Sequence, residues 1–131
     1  MGVGYFGDFD SETDKFSAIT ANSTSRTVFR MLYGGNTISD LSVLVDKATQ
    51  PVFYTQAAST LLNLDINYKY FSDTDAVGYA IEAEGEGTRI YCENINIETM
   101  LIGEQGYVAG IGCGNQAEIV INGNFKYVGK Y

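Results

Sequence analysis

The sequence predicts an all-β fold, an antiparallel β-sandwich or barrel with an extended N-terminal arm and at most one short helix. The 131 residues include fifteen Gly and one Pro, which suits many turns and strands better than a helical bundle. From residue 26 onward, Ile, Val, Tyr, Phe and Thr alternate with polar residues, as on a half-buried pleated sheet. This length is typical of one domain. We therefore divide the chain into an arm, residues 1–25, and a single β domain, residues 26–131.

The N-terminal arm is rich in glycine, then acidic, and then small and polar. Such a segment buries too little apolar surface to order itself, so something must hold it down. Its own domain or a neighbouring subunit could do so, and we expect the neighbour. The predicted assembly interface pairs the arm with basic groups of a second copy, and it comprises Tyr5, Phe6, Asp8, Asp10, Glu12, Asp14, Arg26 and Arg30.

The first predicted strands lie on either side of a Gly-Gly pair. Residues 26–33 alternate, Gly34 and Gly35 permit a tight hairpin turn, and residues 37–46 form the returning strand. Residues 50–60 are ambiguous. Pro51 suits the first position of a short helix, but Val52–Thr55 could equally form a strand.

The second half alternates more clearly. In residues 61–71 the side chains of one predicted face are Leu62, Leu64, Ile66, Tyr68 and Tyr70. Turns follow at residues 72–75 and 85–87. The apolar positions then change phase between Cys92 and Ile95, which predicts a β-bulge near Glu93 and Asn94. The residues that we expect to be mostly buried are Ile66, Tyr68, Val77, Tyr79, Ile81, Ile119, Ile121 and Phe125.

The stretch GYVAGIGCGNQ, residues 106–116, resembles a phosphate-binding loop only in its glycine content. A dinucleotide loop requires a third glycine where Asn115 stands and a helix behind it, but residues 117–131 alternate as a strand. We therefore expect the glycines to serve a flexible hairpin or an irregular strand edge, where a missing Cβ permits close approach.

The residue types argue against catalysis. The chain has no His, the commonest general base and transition-metal ligand. The acids of the arm have the spacing of a calcium loop, but Thr13 replaces its glycine and Ile19 its last ligand. A hydrolytic carboxylate pair could be sought among Glu82, Glu84, Glu86, Glu93 and Glu98, yet Glu82 and Glu84 lie on a predicted strand's polar face, where acids simply keep a sheet soluble. Cys92 and Cys113 lack metal-ligand spacing. We predict a non-enzyme without cofactor or metal.

The net charge of −8 disfavours nucleic acid and anionic membranes as partners. No segment is long and apolar enough to span a bilayer, and residues 1–9 do not resemble a secretory signal, so we expect assembly in the cytoplasm.

The arm, the alternating β body and the acidic balance together resemble small bacteriophage virion proteins. Capsid decoration (cement) proteins are similar in combining an extended arm with a compact β body, and the resemblance implies a virion subunit that braces the shell as a homo-oligomer among other virion proteins. Tail tube proteins are the close alternative, because their β-sandwich or barrel with a short helix forms rings with an acidic lumen. Assembly in the host cytoplasm would follow from either resemblance.

A carbohydrate-binding β-sandwich module is the alternative from another class. Ten Tyr and many Asn supply contact area typical of protein interfaces and of sugar-binding surfaces. The absence of Trp counts against this alternative.

Overall fold

A computed structural model describes residues 4–6, 9–10, 15–22 and 26–130. These residues form strands joined by turns and contain no helix, which confirms the all-β prediction. The strands are β1 (Gly4–Phe6), β2 (Phe9–Asp10), β3 (Lys15–Ala21), β4 (Phe29–Met31), β5 (Asn36–Ala48), β6 (Phe53–Thr55), β7 (Ser59–Tyr70), β8 (Val77–Glu84), β9 (Arg89–Leu101), β10 (Tyr107–Gly114) and β11 (Glu118–Lys130).

The strands form two parallel sheets, so the predicted antiparallel sandwich or barrel is wrong. Sheet 1 has the order β11-β9-β7-β5-β3-β2, with β1 also paired to β5, and sheet 2 has the order β10-β8-β6-β4. From β4 onward, consecutive strands alternate between the sheets, and each strand pairs in parallel with the strand two places along the chain. One strand of sheet 2 and the following strand of sheet 1 thus form one coil of a solenoid. In the described residues, only β2 and β3 pair antiparallel.

The predicted hairpin turns are connections between the two sheets. The turn at Gly34 and Gly35 leads from β4 in sheet 2 to β5 in sheet 1, and the turn at residues 85–87 leads likewise from β8 to β9. The turns stack as the strands do: the Gly35 amide donates to the Ala58 carbonyl, and the Glu118 amide donates to the Thr88 carbonyl. Glycine serves such a connection as well as it serves a hairpin, so these residues predicted a turn without predicting its kind.

The core consists of ladders of inward-facing side chains that run across the coils. One ladder in sheet 1 joins Leu41, Leu64, Ile95 and Phe125, and the next joins Val43, Ile66, Ile97 and Tyr127. In sheet 2 the rings of Phe29 and Phe53 stack with centroids 5.0 Å apart. Each coil therefore buries its apolar face partly against the next coil.

Sheet 1 bends along a ladder of residues with positive φ. Asp40, Asn63, Asn94 and Gly123 have φ values of 56°, 52°, 55° and 69°, which Asn, Asp and Gly tolerate best. Asn63 Nδ2 donates to Asp40 Oδ1 at 2.9 Å, and Asn94 Nδ2 donates to Asn63 Oδ1 at 3.0 Å. The change of phase predicted near Glu93 and Asn94 lies at this bend.

The same bend corrects the predicted face of residues 61–71. Leu61 is buried and Leu62 faces outward, because the alternation reverses at Asn63; the buried face continues through Leu64, Ile66, Tyr68 and Tyr70.

Residues 50–60 form turns, the strand β6 and the start of β7, so the strand alternative is right and the helix is wrong. Buried hydroxyls stabilise the turn that follows, since Thr55 Oγ1 donates to the Ala57 carbonyl at 2.7 Å and lies 3.1 Å from Ser59 Oγ.

Glycines let aromatic rings lie against bare backbone. A Cβ added at Gly112 would meet the Tyr79 ring at 2.6 Å, and one at Gly110 would meet the Tyr127 ring at 2.7 Å. Residues 107–114 of the glycine-rich stretch are the strand β10. The close approach that these glycines predicted is thus an approach by tyrosine rings.

Several residues expected in the core are less buried than predicted. Ile66, Tyr68 and Ile81 are buried, but Tyr79, Ile119 and Phe125 are only partly buried, and Val77 and Ile121 are exposed. Ile119, Ile121 and Phe125 all lie on β11, where no further coil of the described chain covers them.

Candidate functional site

The C-terminal coil, β10 and β11, is open on one side. β11 is the outermost strand of sheet 1 and β10 that of sheet 2, so in the described chain no strand pairs with their outer edges. β11 is 13 residues long. Inward-facing Ile121 and Tyr127 are exposed here, although the equivalent residues of the preceding coil are buried. A long free edge beside an exposed apolar end is a surface that readily pairs with another chain.

Two contacts keep the apolar end of this coil ordered. The Tyr127 hydroxyl lies 2.8 Å from that of Thr99, and the Tyr127 ring covers Gly110. On the polar face, Lys130 Nζ and Glu98 Oε1 are 2.7 Å apart, and Arg89 Nε and Glu118 Oε2 are 3.3 Å apart. These ion pairs are largely exposed, so each contributes at most about 1 kcal/mol.

The opposite, N-terminal end of the solenoid consists of β1, β2, β3 and β4. β1 pairs with Thr37–Ser39 of β5, and β3 pairs with Leu41–Val45 on the other side of Asp40. Residues 15–21 of the predicted arm are thus a strand of sheet 1 in the same chain. Whether the arm also contacts a second copy, and whether the chain divides at residue 25, stay predictions.

The structure describes part of the predicted assembly interface. Tyr5 and Phe6 lie in β1 and Asp10 lies in β2, for which only the backbone is described. Asp8, Glu12 and Asp14 lie outside the described residues, so the pairing of the arm's acids with Arg26 and Arg30 remains a prediction.

Arg26 and Arg30 both line one groove beside sheet 2. This groove has a volume of about 640 Å³ and is also lined by Thr27, Gln50, Tyr54 and Glu82. The Arg30 guanidinium carbon lies 5.9 Å from the centre of the Tyr54 ring, close enough for a cation–π contact. The structure therefore brings together the two arginines that the sequence singled out.

Two acids of β8 shape the electrostatics of this groove. Burial, and then the charge of Glu84, raise the pKa of Glu82. The Tyr54 hydroxyl donates to Glu84 Oε2 at 3.1 Å, and desolvation followed by this bond raises the pKa of Tyr54. Partial burial thus makes the charged forms of both groups less favourable.

The two cysteines differ in environment. Cys92 is buried on β9, and desolvation raises the pKa of its thiol to about 12, so it remains protonated at neutral pH. Cys113 is exposed on β10, and its thiol donates to the Ala117 carbonyl at 2.7 Å. Within the described ranges, no three His, Cys, Asp or Glu side chains are grouped as a metal site requires. The same residues include no helix long and apolar enough to cross a membrane.

Sequence reasoning missed the open C-terminal coil, because it treated Ile119, Ile121 and Phe125 as ordinary core residues. A spacing signal was present: Asn63 and Asn94 are 31 residues apart, Asn94 and Asn124 are 30 apart, and an apolar residue follows each. A repeat of 20–50 residues indicates a solenoid, whose last coil lacks a neighbour.

No family model, curated protein or solved structure matches this chain.

Proposed function

We propose that this chain is a non-enzymatic structural subunit that binds further copies of itself end to end. The C-terminal coil carries this proposal, because it combines the free edge of β11 with the exposed side chains of Ile121 and Tyr127. Covering that end buries apolar surface and pairs the free backbone groups of the edge strand.

The partner that fits is the N-terminal end of a second copy. Within sheet 2 all strands run in the same direction, and within sheet 1 all strands except β2 do so. A second copy stacked by translation therefore continues sheet 2 in parallel from β10 to β4, and in sheet 1 it brings β11 to β1 and β3, which run parallel to it, beside the short antiparallel β2. β1 and β3 pair with β5 on either side of Asp40, and β11 offers a similar edge with its bend at Gly123. Such a head-to-tail contact generates rings or filaments.

The setting that we propose is a virion, assembled in the host cytoplasm. The N-terminal segment, the β body and the net charge of −8 support it through the resemblance to capsid decoration proteins. The tail tube alternative relied on a sandwich or barrel with a short helix, which the described residues do not form. The carbohydrate-binding alternative likewise relied on an antiparallel β-sandwich, whereas the described sheets are parallel.

The test is the mass of the purified protein by size-exclusion chromatography with light scattering over a series of concentrations. We expect the wild type to form oligomers that grow with concentration. Ile121→Lys places a charge on the open end and should yield monomers. Val77→Lys is the matched control, because Val77 and Ile121 are both 46% exposed but Val77 lies on the inner strand β8.

The proposal predicts that Val77→Lys assembles like the wild type. A wild-type protein that is monomeric at its highest soluble concentration contradicts it. So does an Ile121→Lys variant that keeps its wild-type melting temperature and assembles as well as the control.

A further inference from the structure

A second surface lies on the outer face of sheet 1, away from both ends of the solenoid. A groove of about 440 Å³ crosses β3, β5, β7, β9 and β11 on the C-terminal side of the bend. Side chains of adjacent strands line it in rows. One row contains Ser42, Asp65, Asn96 and Lys126, and the next contains Asn67 and Glu98.

The groove retains unused hydrogen-bonding groups. Asn96 Nδ2 donates to Asp65 Oδ1 at 2.8 Å, which orients both side chains and leaves the Asn96 carbonyl oxygen and the second Asp65 oxygen available. The side chain of Asn67 makes no hydrogen bond within the described part of the chain. Amide and carboxylate groups fixed side by side suit a ligand that offers neighbouring hydroxyls as donors and acceptors.

The charge of the groove is nearly balanced, unlike that of the whole chain. Glu98 pairs with Lys130 at 2.7 Å. Lys126 also lines the groove, and it lies on β11 directly beside Asn96 of β9, the residue that donates to Asp65. The chain as a whole carries −8 and repels polyanions. An uncharged ligand meets neither this repulsion nor the cost of displacing the ion pair.

We propose that this groove binds a neutral polysaccharide that lies across the strands. Adjacent strands are about 4.8 Å apart, so five strands give a path of about 19 Å. In an extended polysaccharide each sugar ring is about as long as the distance between two adjacent strands. Successive rings therefore meet successive strands. The partly exposed Leu44 side chain supplies an apolar contact for a ring face. This binding is independent of end-to-end assembly.

The experiment is native affinity electrophoresis in gels that contain dextran, mannan, galactomannan, xylan or laminarin, with polygalacturonate as an anionic comparison. We expect at least one neutral polymer to retard the wild type. The double variant Asn67→Ala/Asn96→Ala should lose about tenfold or more in affinity, since it removes two hydrogen-bonding groups. Ser42→Tyr, which fills the groove, should also abolish retardation.

Asn122→Ala is the matched control, because Asn122 is an exposed amide on β11 of the same sheet but lies outside the groove. It should be retarded like the wild type. Melting temperatures establish that the variants are folded. The proposal is overturned if no neutral polymer retards the wild type, if only polygalacturonate does, or if the folded groove variants are retarded as strongly as Asn122→Ala.

Discussion

The inner coils and the C-terminal coil place apolar residues at equivalent positions but bury them very differently. Ile97 on β9 is 2% exposed, whereas Tyr127, its neighbour in the same ladder on β11, is 41% exposed. Cys92 is fully buried, and Ile121 beside it is 46% exposed. The burial of an inward-facing side chain thus depends on the coil stacked beyond it.

The largest expected difference is between Ile95→Ala and Ile121→Ala. Ile95 lies between two coils and is almost fully buried, so its truncation should cost about 2–5 kcal/mol in the free energy of unfolding. Ile121→Ala removes the same atoms from the open end and should cost less than about 1 kcal/mol in the monomer. Urea denaturation of both variants at low protein concentration measures this difference.

If Ile95→Ala and Ile121→Ala lower the free energy of unfolding equally, β11 is covered in solution even at low protein concentration. The comparison would then contradict an open terminal coil. An Ile95→Ala variant as stable as the wild type would contradict the stacking of Ile95 between Leu64 and Phe125 in a parallel ladder.

The strands could be predicted from the sequence, but their partners could not. Alternation identified most of residues 61–71 and 117–130 as strands, and the reversal after Cys92 located the bend at Asn94. Period two reports only that a strand has one buried face. It does not report which strand lies beside it, and turns rich in glycine occur in hairpins and in solenoids alike.

The candidate site was predictable only in part. Arg26 and Arg30 are four residues apart and line the same groove, but their predicted pairing with the acids of the arm stays a prediction. The outer groove of sheet 1 joins Asp65, Asn96 and Lys126, which are about thirty residues apart in sequence. Without the parallel register such residues look like ordinary polar positions on separate strands.

A second comparison uses the glycines of sheet 2. A Cβ at Gly78 on β8 would lie 2.4 Å from the buried Tyr70 ring, whereas one at Gly114 on β10 would lie 3.7 Å from the Glu84 side chain. Gly78→Ala should therefore cost about 1–3 kcal/mol through overpacking. Gly114→Ala should change stability by no more than about 0.5 kcal/mol. Thermal unfolding followed by circular dichroism measures both, and equal destabilisation would contradict the difference in packing.

The smallest expected effect concerns Glu82, which lies on β8 between two neighbouring strands of sheet 2. Burial and the charge of Glu84 raise the pKa of Glu82 above its ordinary value of 4.5. Between the ordinary and the raised pKa, the folded protein retains a proton that the unfolded chain has released. The contribution of Glu82 to stability therefore falls as the pH rises through that window, and below it no penalty remains.

Glu82→Gln removes the charge, so it should raise the melting temperature slightly at pH 7 and change it least at pH 4. Melting curves of the variant and the wild type across this range give the difference directly. If Glu82→Gln lowers the melting temperature at pH 7 more than at pH 4, the carboxylate is stabilised in its charged form, and the groove beside sheet 2 does not desolvate it.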